Sequence, residues 1–261
     1  MTFIEINNIK LHFKIEGEGF PILLIHGFSD DLMYWNSMAN MLKNYFTVIR
    51  FDLRGHGKTE IGSEPINIDL YARDAVELLK RLHIKKCHII GFSAGGSVGL
   101  NIAMKNPKLV KSLVLISTYA STNDYIKSKY KELNKALKQS YGAYYDIMIP
   151  YVLPQDIINE NADILNQIKE FKIETESTEN LRRILHGLKE YDELSNLNKI
   201  NCKTLIIASK EDELVPYENS VAMSERINKS ELVLLDYVKH NVFIENRIKE
   251  IMDIILKFLR N

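Results

Sequence analysis

Ser93 lies in the string Gly91-Phe92-Ser93-Ala94-Gly95. A serine hydroxyl is a weak nucleophile at neutral pH. It becomes a strong one when a histidine takes its proton and a carboxylate holds that histidine in the correct tautomer. Seven histidines compete for the role of base. His12 and His88 fall inside strand-like runs, His83 ends a helical stretch, and His186 belongs to a separate helical region. His26 and His56 stand beside glycines in tight turns and suit loop shaping. His240 follows a strand-like run and precedes a helical one, so it is the expected base. For the carboxylate, Lys210-Glu211-Asp212-Glu213 follows an apolar run. Asp212 is the expected acid, Glu211 its main rival and Asp236 a third candidate. Attack on a carbonyl creates an oxyanion that needs two backbone donors. The N–H of Ala94 is one. The N–H of Phe28, after His26-Gly27, is the other.

These residues can meet only if the chain brings them to one edge. Residues 86–90 form a short apolar run that reads as a buried strand, and residues 96–105 read as a helix. A serine on a sharp turn between strand and helix is the setting of a nucleophile elbow. Further strands are expected at 3–6, 10–15, 21–25, 46–51, 112–116, 204–208 and 231–235, with helices at 32–42, 68–82, 218–227 and 243–259. Strand and helix in alternation argue for a parallel sheet covered on both faces, whose strand ends converge on one edge. The alternation breaks between 119 and 198. Apolar residues there recur at helical spacing, and eight of the chain's 13 tyrosines fall in this stretch. It reads as a helical cap (119–198) inserted into a core domain formed by 1–118 and 199–261, its inner face lining an apolar substrate pocket.

Bulk properties narrow the function. With 34 basic and 34 acidic residues the formal charge is zero, and no basic-aromatic stretch favours nucleic acid. No apolar run is long enough to cross a bilayer, and residues 1–10 lack the pattern of a secretory leader. Cys87 and Cys202 each adjoin a buried strand and read as core residues. A cytoplasmic location is expected, with a small-molecule substrate, no membrane or nucleic-acid partner, no metal and no cofactor.

Five segments together resemble the α/β-hydrolase superfamily, specifically its small cap-bearing serine hydrolases and esterases. They are His26-Gly27-Phe28, Asp52-Leu53-Arg54-Gly55-His56-Gly57-Lys58-Thr59, Gly91-Phe92-Ser93-Ala94-Gly95-Gly96, Lys210 to Pro216, and Lys239-His240. They occur in the family's order and span nearly the whole chain. The resemblance implies an eight-stranded, mostly parallel sheet with helices on both faces and the cap after the sixth strand. It implies catalysis by Ser93, Asp212 and His240, and a structural role for the Asp52–Thr59 loop. Two positions depart from the family pattern. Ala208-Ser209 replaces a glycine before the acid loop, and Lys239 replaces one before the histidine. Ser93 itself separates the chain from the dehalogenase and epoxide-hydrolase branches, which carry aspartate there. The implied activity is hydrolysis of an ester, thioester or lactone of a small, mainly apolar acyl compound. Cleavage of amide, peptide or carbon–carbon bonds, or a ligand receptor that retains the hydrolase fold, are the alternatives.

Overall fold

The computed structural model describes residues 2–244 and 247–260. Its eight strands are β1 (Thr2–Ile6), β2 (Ile9–Glu16), β3 (Phe20–Ile25), β4 (Phe46–Phe51), β5 (Cys87–Phe92), β6 (Val110–Ile116), β7 (Lys203–Ser209) and β8 (Ser230–Leu235). Asn7 and Asn8 turn β1 into β2 with φ of 43° and 58°, a left-handed pair that asparagine tolerates and a tight hairpin needs. β1–β2 and β2–β4 pair antiparallel; every later pairing is parallel. The spatial order is β1-β2-β4-β3-β5-β6-β7-β8.

Alternation along the central strands sorts side chains into two cores. Leu23, Ile25, Ile89, Leu113, Leu115 and Ile206 pack on one face. Ile22, Leu24, Ile90, Val114, Ile116, Leu205 and Ile207 pack on the other. Such burial on both faces is what long apolar strands in a parallel sheet require. The helices are α1 (Asn36–Leu42), α2 (Ile68–Arg81), α3 (Ala94–Lys105), α4 (Asp124–Leu137), α5 (Tyr141–Val152), α6 (Gln155–Glu160), α7 (Ala162–Thr175), α8 (Thr178–Leu188), α9 (Glu218–Ser224) and α10 (Ile248–Arg260). Residues of α2, α3 and α9 join the first core, and those of α1 and α10 join the second. Several helix starts are fixed by side-chain caps. Asn67 accepts from Leu70 N–H, Asn123 from Ile126 N–H, and Ser140 from Ala143 N–H.

Two helix starts differ from the sequence reading. Leu32–Trp35 form a 3₁₀ turn capped by Asp31, and the α-helix begins only at Asn36. At the other end the sequence predicts a helix from residue 243. Residues 243 and 244 are not helical, 245 and 246 lie outside the described residues, and α10 begins at Ile248.

Five helices, α4 to α8, occupy the chain between β6 and β7. α8 buries Leu181, Ile184, Leu185 and Leu188, as their spacing predicts. α7 forms at the predicted place but buries none of its residues. It packs against α5 and α6 rather than the sheet, so Ile164 and Phe171 stay 57% and 62% exposed. Among the described residues, no helix is long and apolar enough to cross a membrane.

Candidate active site

The turn from β5 into α3 is built around Ser93. Its backbone sits at φ 51°, ψ −123°, a conformation that a residue with a side chain adopts only when its surroundings enforce it. Two contacts do so. Ser93 N–H donates to Ile116 O at 2.9 Å, and Thr118 Oγ1 donates to Ser93 O at 2.5 Å. The flanking glycines allow the close approach. A Cβ on Gly95 would lie 2.2 Å from Ile25 O, and one on Gly91 would lie 2.4 Å from Gly95 O, both shorter than any atomic contact permits.

His240 stands across from this turn. Its Nε2 is 3.0 Å from Ser93 Oγ, and its Nδ1 is 2.7 Å from Asp212 Oδ2. The other oxygen of Asp212 accepts from the N–H groups of Leu214 and Val215 at 2.9 and 2.8 Å. All three side chains are buried, Ser93 the least so. Glu211 is exposed, and its backbone N–H donates to Ser209 Oγ at 3.1 Å. Asp236 is exposed and pairs with Lys210 at 2.8 Å. The structure thus brings Asp212 to the histidine and sends both rival acids elsewhere.

The two departures from the family pattern acquire physical roles. Ser209 Oγ donates to Val238 O and so ties the acid loop to the histidine loop. Lys239 Nζ donates to Pro150 O at 2.9 Å. His240 N–H donates to Tyr151 O at 3.2 Å, and Asn241 N–H to Val152 O at 3.1 Å. These three carbonyls end α5, where no helical N–H remains to pair with them. A lysine at a helix C-terminus also meets the negative end of its dipole.

Phe28 lies on the loop after β3, which runs against the serine. A Cβ on Gly27 would be 3.2 Å from Ser93 Cβ. Among the described residues, neither the Phe28 N–H nor the Ala94 N–H has a hydrogen-bond acceptor. His26 fixes this loop. Its Nδ1 bonds Gly27 O at 2.8 Å and its Nε2 accepts Leu53 N–H at 2.9 Å. The Asp52–Thr59 segment is likewise structural. Asp52 Oδ1 accepts Leu32 N–H and its Oδ2 accepts Lys58 N–H, both at 2.8 Å. Arg54 forks onto Asp74 at 2.8 and 2.9 Å.

Ser93 and His240 open into a cavity of about 170 Å³ roofed by α4, α5 and α7, with Phe28, Tyr119, Tyr141 and Met148 among its walls. A larger groove of about 960 Å³ lies outside, between α4 and α8, and reaches none of Ser93, Asp212 or His240. Sequence reasoning missed the cavity's polar edge. Ser29 Oγ bonds Tyr144 hydroxyl at 2.5 Å. Lys172, from α7, bonds Asp31 Oδ2 at 3.2 Å and Glu176 Oε1 at 2.7 Å. Burial disfavours the Lys172 ammonium, but Asp31 and Glu176 outweigh it and raise its pKa. Asp30 lines the same cavity, and burial pushes its carboxyl up to about 7. The acidic pair directly after the Phe28 loop was the available signal.

Comparison with known proteins agrees with this architecture. The family model of the alpha/beta hydrolase fold matches residues 21–147. A protein of Pseudomonas savastanoi pv. phaseolicola named "Putative carbamate hydrolase RutD" is 31% identical over 224 residues, covering 84% of this chain and 86% of that protein. One of the same name from Agrobacterium fabrum is 29% identical over 245 residues, covering 91% and 92%. Among solved structures, MGS-M2, an alpha/beta hydrolase enzyme from a Medee basin deep-sea metagenome library, superposes with a TM-score of 0.92 at 23% identity, covering 100% of this chain and 98% of that one. With relatives matched along nearly its full length and a sheet of the same design, the chain belongs to the α/β-hydrolase family and is a hydrolase.

Proposed function

We propose that the protein cleaves an ester, thioester, lactone or carbamate of a small, mainly apolar acyl compound through a covalent intermediate on Ser93. Asp212 holds the proton of His240 on Nδ1, which leaves Nε2 free to take the Ser93 proton. Ser93 Oγ attacks the carbonyl carbon. The Phe28 and Ala94 N–H groups receive the negative charge that develops on the carbonyl oxygen. The imidazolium, balanced by Asp212, gives its proton to the leaving group. Water, deprotonated by the same histidine, then releases the acid. The observation that carries this reading is the pair of distances at His240, 3.0 Å to the hydroxyl and 2.7 Å to the carboxylate. Carbamate enters through the name of the two relatives; its carbonyl is attacked in the same way.

Residues 119–198 act in this reading as a cap that shapes the acyl pocket and excludes water from it. Purified protein and short-chain aryl esters test the mechanism. Ser93→Ala is expected to lower kcat by about 10⁴-fold or more while the protein stays folded, and a fluorophosphonate is expected to label wild type but not the variant. Retention of most activity by Ser93→Ala would reject the nucleophile. Slow, single-turnover hydrolysis with ligand-dependent loosening of the cap would instead favour a ligand receptor built on the same fold.

A further inference from the structure

The cavity beside Ser93 contains a carboxylate that the reaction above does not use. Asp30 lines it together with Ser93, His240 and Lys172. The position a Cβ would take on Gly27 is 3.2 Å from Asp30 Oδ2 and 3.2 Å from Ser93 Cβ, so this carboxyl overlooks the reacting atoms. Among the described residues, Asp30 has no hydrogen-bond or ion-pair partner. The cavity's lysine is already engaged, because Lys172 bonds both Asp31 and Glu176. Two acids therefore already share that ammonium, and Asp30 is left outside the pairing. The rest of the lining is mostly aromatic and aliphatic, including Tyr141, Met148 and Ile149.

A carboxylate facing an apolar cavity without a partner is costly. Among the described residues no side chain supplies that partner, and a ligand in the cavity can. An anionic ligand would face Asp30, while the cavity's one lysine is already neutralised by Asp31 and Glu176. A purely aliphatic ligand would leave Asp30 unpaired. A group bearing N–H, above all an ammonium, would satisfy it. The acyl group is also the part of the substrate that stays in the cavity, since it remains bonded to Ser93 after the leaving group departs. We propose that Asp30 is a specificity residue that accepts a hydrogen bond from an ammonium or other N–H group on the acyl portion, so that the preferred substrates are amino-substituted acyl esters or carbamates rather than plain aliphatic esters. This deepens the hydrolase reading and rests on it for the identity of the reacting bond.

Two methyl esters of nearly equal size test the proposal: methyl 3-aminopropanoate, an ammonium at neutral pH, and methyl butanoate. Their affinities for Ser93→Ala are measured by calorimetry at pH 8, and their hydrolysis by wild type is followed in a pH-stat. The amino ester is expected to bind Ser93→Ala about tenfold to a hundredfold more tightly, as for a charge-assisted hydrogen bond. That preference is expected to fall to near one in Ser93→Ala/Asp30→Asn, with the fold of each variant checked by circular dichroism. Equal binding of the two esters, or a preference that survives Asp30→Asn, would overturn the proposal. Selective binding by Ser93→Ala without turnover of either ester by wild type would leave Asp30's role standing and place the failure in the bond chosen for cleavage, which the aryl-ester test of Ser93 addresses separately.

Discussion

Two neighbouring acids after β7 are chemically alike and sit in different surroundings. Asp212 turns inward, where one oxygen is fixed by two backbone N–H groups and the other faces His240. Glu211 points into solvent. If Asp212 orients the histidine, Asp212→Asn is expected to lower kcat by about 10⁴-fold, whereas Glu211→Gln stays within a few-fold; steady-state kinetics on one aryl ester distinguishes them. The sequence favours Asp212 but keeps Glu211 as a rival, because the choice depends on how the loop twists over a single residue, and no periodicity records that. Ser93 and His240 were legible because each stands at a junction of strand and helix. Asp30 makes a second prediction at this scale. Its carboxyl sits near Asp31 on its own loop, Lys172 and Glu176 on α7, and His240, and burial is the largest influence on it. Because the folded state holds the proton up to about pH 7 and the unfolded chain releases it near pH 4, folding weakens as pH rises between those values. Asp30→Asn removes that loss. Its melting temperature is expected to exceed that of wild type at pH 8 and to converge with it at pH 4.

At the scale of elements, the sharp turn at Ser93 requires β3, β5 and α3 to approach almost backbone to backbone. Gly95→Ala would press a methyl group onto Ile25 O, where 2.2 Å is available. It is expected to cost about 3 kcal/mol and to abolish hydrolase activity even in the fraction that folds, as read by urea unfolding and kinetics. These core elements were legible in the sequence because runs such as Ile22 to Ile25 are apolar on both faces, and a run of that kind has few other places to go. α7 shows the limit. Its apolar residues repeat at helical spacing and the helix forms, yet Ile164 and Phe171 face outward. Periodicity tells which residues share a face, but not whether another element covers it. The C-terminal boundary of α5 was also hidden, because its last carbonyls are satisfied by a loop some ninety residues away.

For the molecule as a whole, α4 to α8 and the sheet are joined near the reacting groups by several polar ties. Lys172 to Asp31 is one of them. Lys172→Ala is expected to speed amide hydrogen exchange in α6 and α7, leaving β5 and α3 protected. Uniform protection across α5 to α7 would show that the tie does not hold this region in place. The order of segments was readable along the sequence; how the insertion folds over the strand ends was not, because that depends on contacts between residues far apart.

The end of α5 receives its partners from the backbone that carries His240. Roof and imidazole are therefore stitched together. A tilt of that helix large enough to admit a bulky molecule would drag the imidazole off the hydroxyl, so a gaping enzyme would also be a disarmed one. Chemistry would begin only after the guest is enclosed.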